Sequence, residues 1–209
     1  MTRFSTTHQE IWQKVAALIH SDGRPWMLGG GTGLAEYLDH RDSEDIDLFL
    51  HQDFDAEALA RWLQGHNVLV TAIEINTVKG YLDSTKIEFL GIPELQLLEP
   101  PTVIRGIPVM APIDILATKI HAITHRAKLR DYVDLMESDR SELLRLEAII
   151  EAAITKYNVI NPNGLVSQVN RTLLYLDDID EDPIGNYAKE AVAKYWEQRL
   201  KELPLGFVL

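Results

Sequence analysis

Two aspartates two positions apart, Asp45 and Asp47, stand in an otherwise apolar segment, Asp45-Ile46-Asp47-Leu48-Phe49-Leu50. On a strand this spacing puts both carboxylates on one face and Ile46 and Leu48 on the other. Two like charges so close repel, and burying them unpaired is costly. A divalent cation resolves the conflict. Mg²⁺ suits the pair because it accepts carboxylate oxygens and keeps positions for water and substrate phosphates. Taken alone, acid-x-acid is a weak motif and fits equally a half-exposed strand whose outward positions are acidic.

A glycine run precedes the pair. Gly29-Gly30-Gly31-Thr32-Gly33 lies between a short apolar stretch, Trp26-Met27-Leu28, and a predicted short helix carrying Leu34, Ala35, Tyr37 and Leu38. Glycine lets backbone approach phosphate closely, and a helix start offers its amides to an anion. Twelve residues separate Thr32 from Asp45, enough for a helix and a return to an adjacent strand. A phosphate cradle would then lie beside a carboxylate pair. Alone, the run reads equally as a tight turn. It is not a dinucleotide fingerprint, which needs a further glycine, nor a P-loop, which needs Lys-Ser/Thr after it.

Further along, Lys119, Arg126, Arg130 and Asp134 fall on one face if 115–136 is a single helix turning about 100° per residue. That phase favours Asp134 over Asp131 as the acid of the face; ordinary i,i+4 pairing such as Arg130 with Asp134 would explain the same pattern. No acid occurs between Lys119 and Arg130, so this stretch, with Lys128, is the basic patch on which an acidic chain would meet RNA. Glu88 is the candidate for a third carboxylate, on a predicted strand where Lys86, Glu88 and Leu90 face away from Ile87 and Phe89. His121 and His125 are four apart, but they lack the neighbouring Glu of a zinc protease and read as packing or solvent-facing residues.

These groups need elements to hold them. Residues 8–20 predict an amphipathic helix, with a capping box at Thr7 and Glu10. Asp55 caps a helix that runs to about Leu63 and ends at Gly65. Val68–Ile75 and Lys86–Leu90 predict strands. From Ile113 the pattern turns helical, broken near Asn158–Pro162 and again at Asp177–Pro183, where the acidic run from Asp177 to Asp182 reads as a solvated linker. The expected division is an α/β core over 1–111 and a helical region over 112–209 that contributes Lys119 and Asp134 to the site.

Two blocks together resemble the AbiEii/MenT nucleotidyltransferase toxin family. The first is Leu28-Gly29-Gly30-Gly31-Thr32-Gly33-Leu34-Ala35 with His40-Arg41-Asp42-Ser43-Glu44-Asp45-Ile46-Asp47-Leu48-Phe49. It is similar to the family's Gly-Gly-Thr/Ser, spacer, Arg-x-Ser-x-Asp-Ile-Asp signature, with three glycines where members commonly show two. The second is Pro112-Ile113-Asp114, Lys119-Ile120-His121-Ala122, Arg126 and Arg130-Asp131-Tyr132-Val133-Asp134-Leu135. The resemblance spans roughly residues 26–136.

The resemblance implies an α/β fold, a polymerase-β-like nucleotidyltransferase core with a mixed sheet, followed by a helical C-terminal region. It also implies Mg²⁺ (or Mn²⁺) and a nucleoside triphosphate as substrate. In relatives the acceptor is RNA, often a tRNA 3′ end, and the role is growth arrest countered by a cognate antitoxin. By motif position Asp45 and Asp47 would hold metal, with Glu88 as the added candidate. Lys119 would contact the triphosphate, and Asp134 would be a further catalytic acid. Gly30, Gly31, Thr32, Ser43, Lys119, Arg126 and Arg130 would bind the nucleotide. Rival readings are a small-molecule nucleotidyltransferase like those that modify aminoglycosides, a protein-nucleotidylating enzyme, and an inactive binding module of the same fold. Intact Asp45, Asp47 and Lys119 argue against the last.

Composition bounds the rest. The 209 residues, 46% hydrophobic and 25% charged, suffice for a substantial core. There is no cysteine, which excludes disulfides and thiolate metal sites and makes a cytoplasmic location the expectation. No apolar run approaches the roughly 18–20 residues of a membrane span, and the N-terminal residues show no secretory segment. A net charge of −12 repels phosphate backbones on average and suits a cationic substrate.

Overall fold

In a computed structural model of the chain, residues 6–43, 45–126, 128–176, 179 and 187–203 are described. They form two compact units, and the first is built on a seven-stranded mixed sheet. That unit comprises the described residues through Gly33, Ser43–Leu95 and Pro101–Met110.

Its elements are α1 (Thr6–Asp22), β1 (Met27–Leu28), the start of α2 (Gly30–Leu38), β2 (Asp45–Leu50), α3 (Ala56–Gln64), β3 (Val68–Glu74), β4 (Thr77–Leu82), β5 (Thr85–Gly91), β6 (Thr102–Ile104) and β7 (Ile107–Val109). Strand order is β3-β4-β5-β2-β1-β7-β6. β2 is central, parallel to β5 and antiparallel to β1, and β1 runs parallel to β7. Alternation fixes its faces: Ile46, Leu48 and Leu50 are buried, whereas Asp45, Asp47 and Phe49 are only partly covered. A one-residue slip would bury the two carboxylates and expose the aliphatics, so the register is strongly specified.

Local chemistry accounts for the rest of this unit. Trp26 is 1% exposed, meets Phe54 and Phe89 edge-on at 5.5 and 5.1 Å, and donates its indole N–H to Asp22 at 2.7 Å. Asp55 caps α3 by accepting from the Ala58 amide at 2.9 Å, and Leu59, Ala60 and Leu63 form the buried face of that helix. β4, β6 and β7 lie outside the strands expected from sequence. β4 was obscured by Gly80, a poor strand residue, present because a Cβ there would press on the Leu69 carbonyl beside the bulge between Val70 and Ala72. The Thr7 side chain of the expected capping box lies outside the described residues, as does the acidic run 177–182 apart from Ile179.

The second unit comprises Leu34–Asp42, Gln96–Pro100 and the described residues from Ala111 onward. Thus two short segments of the first 111 residues cluster with the helices. The helices are α4 (Pro112–His125), α5 (Leu129–Arg140), α6 (Leu146–Lys156), α7 (Pro162–Leu174) and α8 (Lys189–Lys201), together with the later part of α2. The single helix expected over 115–136 is two helices. Arg126 is extended, at φ −143° and ψ 142°, and ends α4. The phase relation drawn between Lys119 and Asp134 is therefore withdrawn.

The break has a packing reason. On one straight helix Asp131 and Asp134 would sit about 18 and 22 Å from Lys119, at about 1.5 Å per residue. After the break both reach its ammonium, at 2.7 and 2.9 Å. Other buried ions also bind helices together. Asp114 accepts from the Leu98 and Glu99 amides and pairs with Lys156 at 2.5 Å. Asp139 accepts from the Leu146 amide and Tyr195 and pairs with Arg199 at 2.7 Å, and Arg199 also pairs with Glu147 at 2.6 Å. Among the described residues no helix is long and apolar enough to cross a membrane.

Candidate active site

The glycine run is the first turn of α2 itself, bound to β2, rather than a separate loop. Gly29 donates its amide to the Asp47 carbonyl at 3.0 Å, and the Thr32 hydroxyl donates to the Asp45 carbonyl. Gly30 has φ +61°, and a Cβ there would collide with Asp47 Oδ2. At Gly29 a Cβ would lie 2.6 Å from the Phe49 ring and 2.9 Å from Met110 Sδ. A Cβ at either position would force a neighbouring side chain to move, and at Gly30 the backbone conformation also favours glycine. The first-turn amides of Gly30, Gly31 and Thr32 have no acceptor within the helix, which makes this end suited to an anion. Thr32 is buried with its hydroxyl committed to Asp45, so its backbone is the part left to offer a phosphate. Ser43 is half-buried two residues before Asp45, and Glu44 lies outside the described residues.

The parallel register of β2 and β5 sets Asp45 beside Lys86 and Asp47 beside Glu88. Glu88 therefore stands on the neighbouring strand at the level of Asp47, as a third carboxylate would need to. Its carboxylate instead pairs with Lys86 at 2.5 Å. That hydrogen bond is the chief cause that raises the Lys86 pKa; burial opposes it, and Asp45, Glu88 and Asp47 add to the rise. The ammonium thus already balances part of the acid group. Among the described residues no three His, Asp or Glu side chains converge as a metal site. Asp45 and Asp47 remain as two half-exposed hard-oxygen donors on one face. This set fits Mg²⁺, which takes one or two protein carboxylates and completes its shell from water and phosphates.

The residues from the second block form a buried ionic hub within the helical unit. Asp134 is fully buried and receives His40 Nε2 at 2.8 Å, Arg41 Nε at 2.7 Å and Lys119 Nζ at 2.9 Å. Burial pushes its pKa up, but Lys119, His40 and Arg41 outweigh this and hold it well below the ordinary carboxylate range. Lys119 is 6% exposed. Burial pulls its pKa down, and the charges of Asp134 and Asp131 more than offset this and raise it. The triphosphate contact expected of Lys119 thus meets an ammonium already paired with two carboxylates.

Arg126 is exposed and reaches Asp131 at 3.5 Å, and Arg130 is half-buried at the start of α5. The exposed rings of His121 and His125 lie 4.0 Å apart, tilted by 34°, and His121 also stacks on Tyr157 at 4.9 Å. Sequence reasoning missed His40 and Arg41 as partners of Asp134. Their place in the first motif block was the available signal.

The family described as "Nucleotidyl transferase AbiEii toxin, Type IV TA system" matches residues 15–71 and 70–207. The chain is 28% identical over 207 residues to the uncharacterized protein aq_aa25 of Aquifex aeolicus (strain VF5), covering 95% of this chain and 93% of that one. Among solved structures, a candidate nucleotidyltransferase from H. pylori aligns over 95% of this chain and 99% of its own, at 15% identity and TM-score 0.49. ANT(2")-Ia in complex with adenylyl-2"-tobramycin aligns over 80% and 97%, at 16% identity and TM-score 0.40. Likenesses at those scores carry no conclusion about substrate. The family match covers most of the chain and includes both motif blocks. The chain belongs to the AbiEii nucleotidyltransferase toxin family and is a nucleotidyltransferase.

Proposed function

We propose that the protein moves a nucleotide from a nucleoside triphosphate onto an RNA 3′ end, with Asp45 and Asp47 holding Mg²⁺, as the toxin partner of a cognate antitoxin in the cytoplasm. The observation that carries this reading is the joint between α2 and β2. There a bare glycine at position 30 lets the first helical turn close onto the Asp47 carboxylate. Anion-seeking amides and a carboxylate pair are thereby held by neighbouring backbone within one unit.

In the proposed reaction an acceptor oxygen bonds to the α-phosphorus. The bond from that phosphorus to the β-bridging oxygen breaks, pyrophosphate leaves, and the hydroxyl proton passes to solvent. Asp45 and Asp47 would hold the cation, which when bound would lower the pKa of the acceptor hydroxyl and offset charge on the leaving pyrophosphate. The chain's own groups position and neutralise, since phosphoryl transfer asks for little covalent chemistry from protein. The amides of Gly30 and Gly31 orient phosphate, Thr32 fixes the start of β2 against α2, and Ser43 stands just before the acid pair. Arg126 and Arg130, in the helical unit, are assigned to phosphate groups of the RNA. We assign Lys119 and Asp134 to positioning: they hold α4, α5 and the His40–Arg41 segment together. Glu88, through Lys86, sets the charge around the pair.

The net charge of −12 favours one competing acceptor, a small cationic molecule. One assay separates the two. The purified chain is incubated with each α-labelled triphosphate and with total RNA, protein or a polycationic aminoglycoside, and products are identified by mass. Label in RNA that is lost in Asp45→Asn supports the proposal. Label in the aminoglycoside alone, or RNA labelling untouched by that substitution, overturns it.

A further inference from the structure

A groove of about 630 Å³ lies within the helical unit. Its lining includes buried Ile123 and Tyr132, exposed Leu174 and Tyr175, and the exposed arginines Arg126 and Arg171. Leu174 is 50% exposed and Tyr175 60%, an unusual expenditure of apolar surface at the end of α7. Arg126 lies 3.5 Å from Asp131 and Arg171 is exposed, in a chain that carries 32 Asp and Glu against 20 Lys and Arg. A concave, mostly apolar groove with an exposed aromatic ring and two exposed cations is thus set into a strongly acidic protein.

We infer that this groove binds a segment of single-stranded RNA, with a base stacked on Tyr175 and backbone phosphates on Arg126 and Arg171. The inference rests on the reading of RNA as the acceptor and adds a location and residues to it. Aromatic faces joined with guanidinium groups are how unpaired nucleotides are held without sequence readout. An apolar peptide would use Leu174 and Tyr175 but gain nothing from the two arginines. An acidic peptide would use the arginines but leave the ring and its apolar surround unoccupied. Nucleotides use both. Arg126 belongs to the basic stretch already read as an RNA patch, whereas Arg171 and Tyr175 come from α7 and its end, about 45 residues later in the chain. With two phosphate contacts the log–log salt slope on single strands is shallow, about −1.4.

The test measures binding of the full chain to a fluorescent single-stranded RNA dodecamer without triphosphate. Wild type, Arg171→Glu, Tyr175→Ala and a control at an exposed position of α8, Lys194→Glu, are compared. Arg171→Glu and Tyr175→Ala are each expected to weaken binding about tenfold, as loss of a phosphate contact or a stacked base does. Lys194→Glu is expected to change it less than twofold, with unfolding midpoints alike in all four. Equal binding by wild type and both groove variants, or an equal loss in the control, overturns the inference. So does an acidic peptide that displaces the RNA and binds more tightly, which would make the groove a protein-docking site. Groove-dependent RNA binding without transfer of label to RNA would sink the acceptor reading while leaving the groove assignment standing.

Discussion

The Asp47 carboxylate occupies the space that a Cβ on Gly30 would fill. Gly30→Ala must therefore either displace Asp47 or open the first turn of α2, in addition to straining a backbone at φ +61°. That backbone conformation alone costs an ordinary residue about 1–2 kcal/mol. Gly23, at φ +77° with nothing within 4 Å of its ideal Cβ, isolates the conformational part. Gly23→Ala is expected to lose stability by that amount and keep its transfer activity, whereas Gly30→Ala loses more stability and nearly all activity. Equal activities in the two variants would show that the joint does not set the site.

Asp45→Asn and Asp47→Asn are each expected to abolish transfer while changing unfolding free energy by less than about 1 kcal/mol, since both side chains are half-exposed. Relief of repulsion between the two acids opposes loss of attraction to Lys86. Isothermal titration with Mg²⁺–nucleotide checks the cause. Normal nucleotide affinity and retained turnover in both variants would end the metal-holding assignment.

Lys119→Met leaves Asp131 and Asp134 buried without their shared cation. Breaking a buried pair on one side costs about 3–5 kcal/mol, against less than about 1 kcal/mol for an exposed lysine. Urea unfolding distinguishes the two. A small stability change with a large loss of triphosphate affinity would return Lys119 to the role of a phosphate ligand.

Acid stability should follow Asp134. Its folded pKa is depressed, so its contribution is complete above the unfolded value of 3.8 and is lost as pH falls below that point toward the folded value. Asp139, also depressed, adds to the same acid limb. Asp134→Asn is expected to be less stable than wild type at pH 7 and to show a flatter decline below pH 4. Parallel acid limbs in the two proteins would mean that Asp134 is not the titrating hub.

What could be read in advance was what period and capping reveal. β2 alternates too regularly to miss, α3 has Asp55 before it and Gly65 after it, and α1 shows its apolar stripe. The candidate acids at 45 and 47 came with β2. Long-range ionic pairing could not be read. No proline or glycine marks the break at Arg126; it forms because Lys119 gains two buried carboxylates when α5 folds back to it. Nor does helical phase suggest that Asp134 belongs to His40 and Arg41, over 90 residues away. Arg171 and Tyr175 were silent because a groove is a property of packing, and their local sequence is that of an ordinary helix end.

The grip of His40 and Arg41 on Asp134, like that of the Leu98 and Glu99 amides on Asp114, bears on how this protein can be inherited and cut. The helical unit is not a contiguous cassette. Two of its buried carboxylates are neutralised or hydrogen-bonded by segments encoded among the strands of the other unit. A fragment beginning at residue 112 would carry Asp134 with only Lys119 to face it and Asp114 with only Lys156. Neither half can be exchanged by recombination at position 111 without orphaning charge in its interior. A lineage that keeps one motif block is under physical pressure to keep the other.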